Sequence, residues 1–215
     1  MSSTENLHEL PAGITPPTDD GACNHLPGIR LPPVALPSTA GERVDLSGLP
    51  GRTVVYCYPR TGRPYEDLPR GWDEIPGARG CTPQSCSFRD HHAELRAFDA
   101  RVFGLSTQST GYQREAADRL HLPFDLLSDE ELAFTRALEL PTFEVEGMTL
   151  IKRLTLVIDD GRVEKVSTLY SRPARTHRWS SDGSVGKPFK PGSFARVRSR
   201  RRCAAGEDVK WRASP

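Results

Sequence analysis

Apolar positions along the chain fall into short bounded runs that are separated by stretches with helical spacing. Residues 53–58 (TVVYCY) are β-branched and aromatic and stop at a proline, which predicts a buried central strand. Within 83–98, Phe88, Leu95 and Phe98 have the spacing of an amphipathic helix. The further predicted elements are strands at 101–106 and 124–127 and helices at 113–120 and 129–138, the last capped by Ser128.

Two predicted hairpins complete the pattern. Residues 31–52 alternate short apolar pieces with turn residues, which predicts a small hairpin that leads into the main sheet. Residues 153–158 (RLTLVI), the turn DDG and residues 162–166 predict a second hairpin. The order of elements predicts an α/β fold in which helices flank a mixed central sheet, of the thioredoxin-like kind. A chain of 215 residues is long enough for one such domain with tails.

The segments outside this pattern are rich in turn residues. Residues 60–80 contain four glycines and three prolines, so we expect an inserted loop or flap between the central strand and the helix. Residues 1–27 are rich in Pro, Thr, Asp and Gly and are expected to form a disordered leader, not a secretory signal. The predicted domain therefore spans 28–166.

Charge is distributed unevenly. Residues 167–215 carry 12 basic and 3 acidic side chains, against 17 and 25 before them, which makes a net +9 and −8. An acidic body argues against nucleic acid as its partner. The basic tail has only 6 Leu, Ile, Val or Phe residues among 49, so it is expected to be disordered. We interpret it as a frameshift product, and the alternative is a basic arm at 196–202 that binds nucleic acid or acidic surfaces.

Cysteine usage indicates a reducing environment. The chain has five cysteines at irregular spacing, which does not suggest a disulfide scaffold. No run of about 20 apolar residues is present to span a membrane. We therefore expect a soluble, cytoplasmic protein in which any disulfide is catalytic. The cysteines are Cys23, Cys57, Cys81, Cys86 and Cys203.

Cys81 and Cys86 are the candidate reactive groups. Cys81 follows Gly80 at the predicted N-terminus of a helix, where backbone N–H groups and the dipole stabilise a thiolate. Cys86 lies five residues on, which separates the Cα atoms by about 8–9 Å in an intact helix. A disulfide needs less than about 7 Å, so oxidation should unwind the first turn. The alternatives are two structural thiols, or a zinc site that also uses the histidines at 91 and 92.

The run GCTPQSCSFRD at 80–90 resembles the G-C-T-x-Q-A-C-x-F-R-D motif of Q-type peroxiredoxins, the bacterioferritin-comigratory group. VVYCYP, FGLSTQS, LPFDLLSDEE and KRLTLVIDDG extend the likeness over about 28–166. The resemblance implies a thiol peroxidase for hydrogen peroxide or alkyl hydroperoxides, without a cofactor, reduced by thioredoxin or a relative. It implies that Cys81 is peroxidatic, that Cys86 is resolving and that Arg153 completes the peroxide site.

The chain departs from the family pattern at the active-site loop. The family has a threonine three residues before the peroxidatic cysteine, but Ala78 stands there, and the insertion separates Pro59 from Cys81. Thr61, Thr82 or a backbone group could supply the missing contact, and the flap could admit a bulkier hydroperoxide. Two other functions stay open: a thiol–disulfide oxidoreductase without peroxidase activity, and a non-catalytic binder with a basic tail. We expect a monomer or weak dimer.

Overall fold

The computed structural model describes residues 20–168 together with two short strands farther along the chain. Those strands, His177–Trp179 and Val185–Pro188, pair antiparallel within the unit Ser171–Pro215. Their pairing differs from the disorder expected for that part of the tail. The predictions for residues 1–19, for Cys203 and for the basic arm at 196–202 lie outside the described residues.

A five-stranded mixed sheet forms the centre of the domain. Its strands are β3 Arg52–Cys57, β4 Arg101–Ser106, β5 Leu126–Ser128, β8 Leu154–Asp159 and β9 Arg162–Thr168. Their order in the sheet is β5-β4-β3-β8-β9, with β3, β4 and β5 parallel and with β8 antiparallel to both β3 and β9. This arrangement confirms the predicted α/β class, and the predicted central strand at 53–58 is β3.

Within residues 20–168, four α-helices and two small hairpins surround this sheet. No helix in the described part of the chain is long and apolar enough to cross a membrane. The helices are α1 Cys81–Asp90, α2 His92–Ala97, α3 Thr110–Arg119 and α4 Ala133–Ala137. The hairpins are β1 Ala35–Pro37 with β2 Arg43–Asp45, and β6 Thr142–Val145 with β7 Met148–Ile151.

Alternation along β3 separates two clusters of the core, because successive side chains of a strand point to opposite faces. Val55 and Cys57 face the larger cluster, which includes Phe134 of α4 and the N-terminal segment. Tyr56 and Tyr58 face the second cluster, where Phe88 of α1 and Leu95 of α2 cover the sheet. The face that carries the two tyrosines therefore also carries the candidate thiol helix.

The insertion at 60–80 is packed against the β6–β7 hairpin. It contains one 3-10 turn, Trp72–Glu74. The Trp72 side chain is buried with Val145 and Leu150, and its ring lies 6.1 Å from that of Phe143. Ala78 is fully buried in the same cluster. The insertion is thus a packed loop that ends directly before the first residue of α1.

Several predicted boundaries differ from the structure. The helix expected at 83–98 starts earlier, at Cys81, and is interrupted at His91, whose Nδ1 lies 2.8 Å from the Ser87 carbonyl oxygen. Phe98, expected on the buried stripe, is 65% exposed. The leader prediction is wrong for residues 20–27, because Leu26 is fully buried in the larger core cluster.

The predicted Ser128 cap and the helix at 129–138 are also wrong. Ser128 is the last residue of β5, and its hydroxyl donates a hydrogen bond to the Gln108 carbonyl at 2.7 Å. The carboxylate of Asp129 instead accepts from the backbone N–H groups of Phe134 and Thr135, at 3.0 and 2.7 Å. The helix therefore shortens to the five residues of α4.

Candidate active site

Cys81 is the first residue of α1, directly after Gly80. Gly80 has φ 103°, a left-handed conformation that favours glycine. Because the first N–H groups of a helix have no intrahelical acceptor, the Cys81 sulfur lies at the positive end of the helix dipole. The side chain is only 3% exposed. This placement agrees with the helix N-terminus expected from the sequence.

The sheet brings Arg153 to this thiol. Arg153 directly precedes β8, and the first residue of β8, Leu154, pairs with Cys57 at the end of β3. The antiparallel register therefore places Arg153 beside the chain that leaves β3 and returns at α1. Its Nη2 lies 3.2 Å from the Cys81 Sγ. The structure thus brings together two of the three residues that the sequence singled out.

The Arg153 guanidinium also holds the end of the insertion. Nη2 donates to three backbone carbonyls, those of Gly77 at 3.2 Å, Ala78 at 3.4 Å and Arg79 at 2.9 Å. Nη1 donates to the Gln84 side-chain carbonyl in α1. Nε is buried and has no hydrogen-bond partner in the structure. These contacts fix a buried positive charge against the sulfur.

Cys86 lies farther along α1 and is 6% exposed. The four cysteines in the described residues are thiols. Cys81 and Cys86 therefore share one intact helix, the arrangement in which a disulfide between them is sterically excluded. Tyr56 of β3 donates a hydrogen bond to the hydroxyl of Ser85, at 3.2 Å, directly before Cys86.

The structure shows what surrounds the sulfur in place of the expected threonine hydroxyl. The Cys81 thiol donates to the Ala78 carbonyl oxygen at 3.6 Å. The Ala78 side chain packs in the cluster with Trp72. The Thr61 hydroxyl donates to the Gln108 side-chain oxygen at 3.3 Å. A backbone carbonyl and a guanidinium therefore contact the thiol, while the hydroxyl of Thr61 has a different partner.

The other residues considered from the sequence have different surroundings. Cys57 is fully buried, and burial raises the pKa of its thiol, which disfavours a reactive thiolate. Partial burial, with a smaller contribution from the nearby Arg96, lowers the pKa of His92. Among residues 20–168, no three His, Cys, Asp or Glu side chains are grouped so that they could hold a metal ion.

Three residues near Cys81 and Arg153 were not singled out from the sequence. Gln84 orients Arg153, and it could have been found because it belongs to the motif at 80–90. Tyr56 and Ser85 are hydrogen-bonded although they lie 29 positions apart in the sequence, and neither residue type by itself predicts this contact. A buried tyrosine hydroxyl usually has a hydrogen-bond partner, but the sequence of the strand does not indicate which residue it is.

A buried thiol at a helix N-terminus, next to an arginine from a neighbouring strand of a mixed sheet, defines a thioredoxin-like thiol protein. A family model described as Redoxin matches residues 26–178. The chain belongs to this family and, within it, to the peroxiredoxins of the Q and Bcp type.

Individual relatives agree with this placement. The chain is 35% identical over 137 residues to the chloroplastic peroxiredoxin Q of Sedum lineare, covering 63% of this chain and 64% of that protein. It is 32% identical over 144 residues to the peroxiredoxin Bcp of Bacillus subtilis, covering 64% and 82% respectively. The crystal structure of peroxidoxin BcpB from Mycobacterium tuberculosis has a TM-score of 0.54 and 27% identity, over 67% of this chain and 86% of that one.

Proposed function

We propose that this protein is a thiol peroxidase that reduces hydrogen peroxide or alkyl hydroperoxides, with Cys81 as the attacking residue. The observation that supports it is the 3.2 Å contact between the Cys81 sulfur and the Arg153 guanidinium at the N-terminus of α1. A thiolate is the nucleophilic form of cysteine, and the guanidinium and the helix N-terminus both place positive charge against this sulfur. Membership of the peroxiredoxins supports the same reaction.

In the first step, the Cys81 thiolate attacks one oxygen of the peroxide and the O–O bond breaks. The sulfur becomes a sulfenic acid, and the other oxygen leaves with a proton as water or an alcohol. Negative charge develops on the leaving oxygen as the bond breaks. Arg153 is already fixed by Gln84 and by the carbonyls of the insertion, so it can stabilise this charge without reorganising.

In the second step, the Cys86 thiol attacks the sulfenic sulfur, a disulfide forms and water leaves. Because both cysteines lie in α1, this step requires the first turns of the helix to open. A thioredoxin-like reductant would return both thiols by thiol–disulfide exchange. The proposed setting is a reducing compartment such as the cytoplasm, and the proposed assembly is a monomer or weak dimer.

The test is peroxide consumption by the full chain with a thioredoxin system, comparing the parent with Cys81→Ser and Cys86→Ser. Cys81→Ser should abolish turnover. Cys86→Ser should lose sustained turnover once its Cys81 is oxidised, because its sulfenic acid cannot be resolved. Cys57→Ala, a replacement at another buried cysteine, should keep the parent rate. Equal rates for the parent and Cys81→Ser would refute the proposal.

Two further measurements distinguish the other functions considered from the sequence. A thiol–disulfide oxidoreductase without peroxidase activity would reduce a disulfide substrate through Cys81 and leave peroxide untouched. A non-catalytic binder with a basic tail would show salt-sensitive affinity for nucleic acid that survives Cys81→Ser. The contact between Cys81 and Arg153 favours the peroxidase over both.

A further inference from the structure

The Tyr56 side chain of β3 connects the central sheet to the part of α1 that lies between the two cysteines. The Tyr56 phenol donates a hydrogen bond to the Ser85 hydroxyl at 3.2 Å, and both residues are fully buried. The Tyr56 ring also stacks on Phe88, with centroids 4.4 Å apart and an angle of 11° between the planes. Tyr56 therefore contacts α1 immediately before and shortly after Cys86.

Ser85 must move when the disulfide forms. It lies one helical turn after Cys81 and one residue before Cys86. The Cα atoms of the two cysteines are about 8–9 Å apart in a regular helix, and a disulfide needs less than about 7 Å. Opening the turn between them changes the position of Ser85 relative to the sheet, so its bond to Tyr56 has to break.

Tyr56 cannot follow the helix. It lies in β3 between two neighbouring strands, where it pairs with Gly104 of β4 and Thr155 of β8. A Cβ atom added at Gly104 would lie 2.8 Å from the tip of the Tyr56 ring, so the ring is in close contact with β4. When α1 opens, the phenol therefore stays in the sheet and loses Ser85 as its acceptor.

Resting on the proposed function, we propose that Ser85 is a positioning residue that slows disulfide closure by holding α1 to Tyr56. The Cys81 sulfenic acid then persists longer before Cys86 attacks it. A second peroxide can oxidise this sulfenic acid to a sulfinic acid, with the peroxide reduced to water or an alcohol. The hydrogen bond thereby shifts the balance between recycling and irreversible oxidation of Cys81.

The magnitude follows from the bond itself. A buried hydrogen bond between neutral groups that is present in the closed helix and absent in the open one changes the opening equilibrium about three- to tenfold. Ser85→Ala should therefore speed closure by about three- to tenfold and lower the sulfinic fraction at a given peroxide concentration. The motif that the chain resembles has alanine at this position, so the variant should fold.

The experiment measures the two steps separately in the full chain. The reduced protein is mixed rapidly with hydrogen peroxide, quenched with an alkylating reagent, and its sulfenic, disulfide and sulfinic forms are quantified by mass spectrometry. The variants are Ser85→Ala, Tyr56→Phe and the double variant. Tyr58→Phe is the matched control, because it removes an equally buried phenol whose hydrogen bond, 3.0 Å long, goes to Gln113 of α3.

The expected result is an unchanged rate of sulfenic acid formation in all variants. Closure should be faster by the same factor in Ser85→Ala, in Tyr56→Phe and in the double variant, since one bond is lost in each. Tyr58→Phe should close at the parent rate. Unchanged or slower closure in both single variants, or an additive effect in the double variant, would overturn the proposal. If losing any buried phenol were enough to speed closure, Tyr58→Phe would also close faster than the parent, and the proposal would be wrong.

A second measurement separates this proposal from the peroxidase proposal. Diamide oxidises a thiol pair without peroxide: one thiolate adds to it, and the second thiol displaces the adduct as a hydrazine to give the disulfide. Closure with diamide should also be faster in Ser85→Ala and Tyr56→Phe. If the parent forms the disulfide with diamide but does not react with peroxide, the peroxidase proposal is wrong. If diamide gives the same rate of disulfide formation in the parent and in all variants, the proposed role of Ser85 is wrong.

Discussion

Replacing Arg153 by lysine should separate the charge of this residue from its geometry. A lysine keeps the positive charge but has one ammonium at the end of a flexible chain. It cannot donate at once to Gln84 in α1, to the carbonyls at the end of the insertion and to the Cys81 sulfur, as the planar guanidinium does. The charge would remain near the site without a fixed direction.

The loss can be estimated from these contacts. Removing one preorganised donor to a developing negative charge costs a factor of about 10² to 10³ in rate. We expect Arg153→Lys to lower the rate constant of Cys81 with hydrogen peroxide about 100-fold, and Arg153→Gln, which also removes the charge, about 1000-fold. The free energy of unfolding should fall by about 2–4 kcal/mol, because buried carbonyls lose their donor.

The rate constant can be measured by competition for peroxide with a haem peroxidase, and folding by circular dichroism and urea unfolding. Arg162→Lys is the matched control, because Arg162 lies in β9 of the same hairpin and donates to the carbonyl of Gly28, away from Cys81. It should react at the parent rate. If a folded Arg153→Lys variant also kept the parent rate, the guanidinium would not be oriented for catalysis, and the argument would fail.

Three further predictions concern the insertion. Trp72→Ala should weaken the packing of the insertion against Phe143. The ratio of the rate constants for a bulky alkyl hydroperoxide and for hydrogen peroxide, measured by competition, should therefore change. An unchanged ratio would exclude a role of the insertion in substrate selection. Ala78→Thr should lower the free energy of unfolding, measured in urea, by about 1–3 kcal/mol, because the side chain at this position packs in the apolar cluster. The variant should not react faster with peroxide than the parent, and a faster reaction would contradict this reasoning. The hydrogen bond from Arg79 lowers the pKa of Asp73 from its usual 3.8, so the pair stabilises the fold above that pH and the stabilisation is lost as pH falls through the lowered pKa. The difference in melting temperature between the parent and Asp73→Asn should therefore disappear in acid, and a difference that grew in acid would refute the assignment.

Much of the fold was predictable because its signals are local. The central strand and the strand at 101–106 are short apolar runs bounded by turn residues, and both are found as expected. The hairpin after Arg153 was marked by its Asp-Gly turn. The candidate site residues could be proposed for a similar reason, since Cys81 and Cys86 lie within a motif of eleven residues.

The parts that sequence reasoning missed depend on contacts between distant segments. Leu26 is buried because the backbone N–H groups of Gly28 and Leu31 bond to the carbonyls of Val163 and Gly161, far along the chain. The contact of Ser128 with Gln108, 20 positions away, likewise overrides a local capping signal, and the neighbouring Asp129 caps the helix instead. The β6–β7 hairpin was not predicted, and it becomes significant only through the insertion that packs on it.

The most direct test of the account is a single-turnover oxidation. The fully reduced chain is treated with one equivalent of hydrogen peroxide, and its disulfides are mapped by peptide mass spectrometry. The account predicts one disulfide, between Cys81 and Cys86, with Cys57 still a thiol. Thiols that all remain reduced, or a disulfide that links other cysteines while Cys81 stays unmodified, would contradict it.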